Sequence, residues 1–174
     1  MADSLLTPVQ LRRYGRYTGD PDTGQLARFF YLDAADRALV DIRRGEHNRL
    51  GFAVQLCTAR YLGTFLPDPT DVPWAVAAHL AAQLGIADPG VLKAYAGRDA
   101  TNREHAGEIQ GASGYTDFTD PAAQADLLGW LHARTSLGAE RPGTLFDLAT
   151  ARLLERKVSA PGAHCAVPPG RGSP

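Results

Sequence analysis

Five prolines sit where a helix can begin, and that punctuation constrains this chain more than any other feature. Pro8, Pro73, Pro89, Pro121 and Pro142 each precede an apolar-rich run. Proline is tolerated in the first turn of a helix and disrupts its interior. Thr7, Asp88 and Asp120 stand immediately before three of them as capping side chains, and Gln10 completes a capping box with Thr7. The chain is thereby cut into short helices joined by short loops. This predicts an all-α fold of about seven or eight short helices, in one or two small helical subdomains.

The segments between these marks follow. A first helix runs from Thr7 to about Tyr17 and is broken at Gly19-Asp20-Pro21. Leu26 to Leu32 reads as a short helix or an extended piece. Asp33 caps a helix that ends near Arg44-Gly45. From Glu46 to Leu62, the residues Leu50, Ala53, Val54, Cys57 and Tyr61 recur at three- and four-residue steps, so one face is expected in the core. Asn48 and Gln55, and Arg49 and Arg60, share other directions, which predicts a polar, basic side. Pro67 to Pro73 is a rigid loop and the expected internal boundary. Beyond it lie helices from Pro73 to Leu84, from Pro89 through Tyr95, from Asp99 or Thr101 to Ser113, and from Pro121 and Pro142 onward. Gly107 and Gly111 weaken one of these by about 1 kcal/mol each relative to alanine. Phe29, Phe30, Tyr31, Trp74 and Trp130 are read as core aromatics. After Val158 the periodicity gives way to Pro, Gly and small residues, so residues 5–158 form the expected folded region and 159–174 a disordered tail.

Composition excludes more than it selects. With 44% apolar and 21% charged residues the chain is globular in type, and a net charge of −1 gives no overall pull toward nucleic acid. No apolar run is long enough to cross a bilayer, and the first residues lack a secretory pattern, so the expected location is cytoplasmic, away from membranes. Cys57 reads as a small core residue and Cys165 falls in the tail, so no disulfide is expected. The histidines are scattered and form no HExxH, and no glycine-rich phosphate loop follows a strand. No catalytic residue, cofactor, metal site or small-molecule substrate is therefore expected.

What remains is arginine, which makes up all but Lys93 and Lys157 of the 18 basic residues. Its forked guanidinium suits phosphates and guanine edges. Three groups stand out: Arg12, Arg13 and Arg16 beside Tyr14 and Tyr17; Arg43, Arg44, His47, Asn48 and Arg49; and Arg98, Asn102, Arg103 and His105. Pattern alone favours a solvated face in which each arginine meets a carboxylate such as Asp41, Glu46, Asp99 or Glu104. The second group is the best candidate, because it opens a helix, where recognition helices often meet base edges.

The run His47-Asn48-Arg49-Leu50-Gly51-Phe52-Ala53-Val54-Gln55-Leu56 closely resembles a stretch near the start of class II replicative transposases, the Tn-three family. Arg13 to Tyr17, Phe29 to Leu32, Asp36 to Val40, Arg60 to Leu66, Glu104-His105-Ala106, Gly114-Tyr115 and Leu145 to Ala149 agree in order and spacing. The resemblance implies a helical module that binds double-stranded DNA at the terminal inverted repeats of a transposon. It places the magnesium-binding catalytic triad far downstream, so this chain reads as an amino-terminal fragment and not an enzyme. Arg43, Arg44, His47, Asn48 and Arg49 are then expected at the DNA, with Arg12, Arg13 and Arg16 on phosphates. The tail after Val158 departs from the family, as do Gly107, Gln110 and Gly111, which weakens the third basic group. An alternative is a helical module that docks on, or interferes with, full-length transposase, or a relic without activity.

Overall fold

Side-chain caps open four of the helices in the computed structural model, which describes residues 15–97, 99–138 and 141–159. The opening helix, Arg12, Arg13, Arg98 and nearly all of the expected tail lie outside these residues. Among the described residues the helices are α1 (Thr23–Phe29), α2 (Ala34–Asp41), α3 (Glu46–Leu62), α4 (Trp74–Leu84), a 3-10 helix (Pro89–Tyr95), α5 (Asp99–Ala112), α6 (Pro121–Leu137) and α7 (Pro142–Glu155). The all-α expectation holds. Asp22 and Gln25 form a reciprocal capping box at α1, as do Asp33 and Asp36 at α2. The Asp120 carboxylate accepts the N–H groups of Ala122 and Ala123 at α6, and Asp88 accepts that of Gly90. One element was not expected: Thr116–Asp117 (β1) pairs in parallel with Val158–Ser159 (β2).

α3 is the axis of the first core. The α2, α4, α5 and 3-10 helices all pack on it, and every residue from Leu50 to Ala59 is buried. The expected polar side of this helix is therefore corrected: Gln55 is interior, and only the ends of α3 reach solvent. A helix with neighbours on all sides has no face left for water. Phe30, Leu32, Val40, Val76, Leu80, Leu92, Tyr95 and Ile109 complete this cluster. Helices on both sides of the Pro67–Pro73 loop contribute to it. A second, smaller cluster is built on Leu153 and Val158, with Phe118, Ala123 and Leu127 half-buried against them.

Two aromatic expectations need correction. Trp74 is 64% exposed, because it is the first residue of α4 and the inward stripe begins only at Val76. Tyr31 is 60% exposed: in the non-helical link between α1 and α2, Phe30 and Leu32 turn inward and Tyr31 turns out. Phe30 is buried, and Phe29 and Phe30 both pack on Tyr61 at 5.3 Å between ring centres. Trp130 is half-buried, with the Arg134 and Arg152 guanidiniums each 5.3 Å from its ring centre.

Candidate nucleic-acid interface

The second basic group forms the corner between α2 and α3. Gly45 makes the turn with φ +84°, a conformation that favours glycine. The His47 ring folds back over it, so that a Cβ at this position would lie 3.0 Å from His47 Cε1. Gly45 caps α3 without a side-chain hydrogen bond. Gly45 brings no side chain to the N–H groups of the first turn, which lie at the positive end of the helix dipole. The acidic residue of that turn, Glu46, is exposed.

The five residues of the group play different parts. Arg44 is exposed, and its guanidinium has no partner among the described residues, while its carbonyl accepts from Asn48 Nδ2 at 2.8 Å. Asn48 Oδ1 and His47 Nε2 are buried atoms without a hydrogen-bond partner. Arg49 gives one N–H to Asp41 Oδ1 at 2.8 Å, closing the corner from α3 back to the end of α2. Arg43 points inward: both terminal nitrogens meet the two Glu108 oxygens on α5, and its guanidinium carbon lies 4.4 Å above the Phe52 ring. Arg43 holds the Glu108 carboxyl below the usual carboxylate range.

Beneath the corner runs a chain of buried polar groups. Gln55 Nε2 donates to Tyr95 Oη at 2.9 Å. Burial pushes the Tyr95 phenol above its ordinary range, so the hydroxyl keeps its proton and donates it to His105 Nδ1 at 2.6 Å. Burial, aided by Arg43, pushes the His105 imidazole below its ordinary value, consistent with a neutral ring that accepts that bond. The His105 ring stands edge-on to Phe52, 5.1 Å between centres. Gly51 lies directly under the Tyr95 ring.

The other groups do not join this corner. Arg16 is exposed, but a Cβ at Gly15 would lie 3.0 Å from Thr64 Cγ2 and the Tyr17 hydroxyl bonds Thr58 at 2.7 Å. That places Arg16 near the far end of α3, about 20 Å from the corner at 1.5 Å per helical residue. In the third group Arg103 is exposed, His105 is buried, and the Asn102 carbonyl accepts from Gln55. Arg60 forks onto Asp36 with two 2.9 Å bonds and donates to the Tyr31 carbonyl, so it ties α3 to α2. Sequence reasoning missed Glu108 and Tyr95, whose partners lie 65 and 40 residues away and leave no local signal.

Among the described residues no three His, Cys, Asp or Glu side chains converge as metal ligands, and no single helix is long and apolar enough to cross a membrane. The family model described as Domain of unknown function (DUF4158) matches residues 5–165. The transposase for transposon gamma-delta of Escherichia coli (strain K12) is 49% identical over 163 residues, covering 94% of this chain and 16% of that protein. The transposase for transposon Tn501 of Pseudomonas aeruginosa is 42% identical over 49% of the chain and 8% of its own length. That for Tn1546 of Enterococcus faecium is 34% identical over 66% and 11%. The chain belongs to this family, as the amino-terminal domain of Tn-three family transposases. It spans less than a fifth of the length of the curated relatives it matches.

Proposed function

We propose that this domain binds double-stranded DNA at transposon ends, reading the terminal inverted repeats, and that strand cutting and joining belong to other parts of a transposase. The observation that carries the reading is the α2–α3 corner: an exposed Arg44 with no partner among the described residues, beside Arg49, at a helix start whose N-cap is glycine. A backbone phosphate there meets first-turn amides, a helix dipole and forked donors together. Arg16, at the other end of α3, suits a second phosphate. Arg12 and Arg13 would extend that contact. Asn48 is the candidate for a base edge, Arg49 stands beside Arg44 for the phosphate, and Arg43 supports the corner from inside. The site of action is the cytoplasm.

The test is fluorescence anisotropy with two duplexes, one carrying the terminal repeat and one scrambled, across a salt series. Tighter binding to the repeat is expected, with log affinity falling against log salt at a slope of about −3 to −5 for the four or five arginines engaged. No binding to either duplex at low salt would overturn the reading. A second reading, docking on full-length transposase, is favoured by α6, where Leu128 is 62% exposed and no described residue is buried. Co-purification with the transposase in the absence of DNA affinity would select it.

A further inference from the structure

The corner contains two arginine–carboxylate pairs of unlike construction, and the difference assigns them different roles. Arg43 is held on three sides: both terminal nitrogens on Glu108, the guanidinium face on Phe52, and a side chain only 13% exposed. Its Nε is buried without a partner. Withdrawing Glu108 would leave a charge uncompensated in the interior. Among the described residues Arg49 has one hydrogen-bond partner, Nη2 to Asp41 Oδ1, and its side chain is 29% exposed. Asp41 is 57% exposed and stands at the last position of α2, where the helix dipole disfavours a carboxylate. A single exposed contact of that kind is readily exchanged.

We propose that Asp41 is a built-in stand-in for a DNA phosphate: it holds the Arg49 guanidinium in the free protein and yields it to the backbone when DNA arrives. Arg43 stays on Glu108 in both states and keeps the corner in shape. The inference rests on the DNA-binding reading. It explains how a residue already paired within the protein can also be a contact residue. A carboxylate and a phosphate oxygen offer a guanidinium the same forked acceptor, so the exchange needs only a rotation of the Arg49 side chain and no change in α3. It also has a functional consequence. Duplexes that present a phosphate out of register must break the Asp41 contact without replacing it, so the pair penalises misplaced binding.

The experiment measures dissociation constants for the repeat duplex with the full chain and with Asp41→Asn, Arg49→Gln and the double variant. Glu108→Gln and Glu104→Gln are the comparisons; Glu104 is an exposed carboxylate on α5 with no arginine partner among the described residues. Asp41→Asn is expected to tighten binding about three-fold or more, and to lose most of that gain once Arg49 is Gln, since only coupled groups show such non-additivity. Glu104→Gln should give a smaller, general charge effect, and Glu108→Gln no gain or a loss. If the wild-type protein binds but Asp41→Asn gains nothing, or gains equally without Arg49, the proposal is overturned and the DNA-binding reading stands. If Glu108→Gln tightens binding as much as Asp41→Asn, the division of roles is overturned. If neither wild type nor Asp41→Asn binds any duplex, both readings fall. Binding by Asp41→Asn alone would support the stand-in strongly.

Discussion

Gly51→Ala asks whether the core beneath the corner is as tightly specified as the structure shows. In an ordinary helix this change stabilises by about 1 kcal/mol, because glycine is a poor helix former. Here a Cβ would lie 2.3–2.5 Å from three Tyr95 ring atoms, far inside van der Waals contact. The ring would have to retreat by about 1 Å to restore normal contact distances of 3.5–4.0 Å. It is fully buried, and its hydroxyl is fixed by Gln55 at 2.9 Å and His105 at 2.6 Å. Retreat therefore costs overpacking strain of about 1–3 kcal/mol. It also costs one or two buried hydrogen bonds, at about 1 kcal/mol each. The sum outweighs the propensity gain, leaving a net loss of about 1–4 kcal/mol. In a chain of 174 residues that lowers Tm by roughly 2–15 °C. Urea or thermal unfolding followed by circular dichroism reads it directly. Gly107→Ala is the internal control, because a Cβ there meets nothing within 4 Å, so it should stabilise by about 0.5–1 kcal/mol. If Gly51→Ala is neutral or stabilising like Gly107→Ala, the close approach of Tyr95 to α3 is refuted.

Two further outcomes follow from buried titratable groups. Burial and Arg43 hold His105 below its ordinary value against the smaller opposing pull of Glu108 and Glu104. The unfolded chain therefore binds the proton more readily, so the His105 contribution to stability is complete above about pH 6.5 and is lost as pH falls through the lowered folded value. Urea unfolding between pH 7.5 and 5.5 should show wild type losing stability and His105→Gln losing less; equal slopes would refute the buried neutral ring. Cys57 is fully buried and its thiol is pushed up to about 12 by burial, so an aromatic disulfide reagent at pH 8 should label it only as fast as the protein unfolds. Measured on Cys165→Ser, which leaves Cys57 as the thiol read, rapid labelling under native conditions would refute that burial.

The helix starts were legible because their causes are local. Asp33, Asp88 and Asp120 act within three residues of themselves, and each begins a helix as read. The bounds Glu46 to Leu62 were legible for the same kind of reason, an apolar period that starts after one glycine and stops at another. Burial around that helix was not, because a 3.6-residue period shows where apolar side chains lie and not how many neighbours surround them. Gln55 looks like a surface residue in sequence and is interior because Tyr95 and the Asn102 carbonyl come to meet it. Gln83 is similar: its side chain accepts the Leu32 N–H and donates to the Phe30 carbonyl, supplying hydrogen bonds that the irregular link lacks. The β1–β2 pairing joins residues about 40 positions apart through two residues each, too short for any strand period.

The candidate site was legible as a cluster and illegible as a set of roles. The stretch that carries the family resemblance, His47 to Leu56, is interior from Leu50 onward; most of it is packing, and only its front end reaches the surface. Yet the two parts are mechanically one. Phe52, inside the stretch, carries the Arg43 guanidinium on one contact and the His105 ring on another, and Arg43 reaches Glu108 from the turn that also sets Arg44 and Gly45. On the proposed DNA-binding function, a substitution in the buried half would therefore change affinity without removing a contact, by loosening the turn from which Arg44 and Arg49 project. Stability and affinity measured on the same variants separate the two routes. Losses through Phe52 should appear in both, whereas losses through Arg44 should appear in affinity alone, since an exposed arginine without a protein partner contributes little to folding.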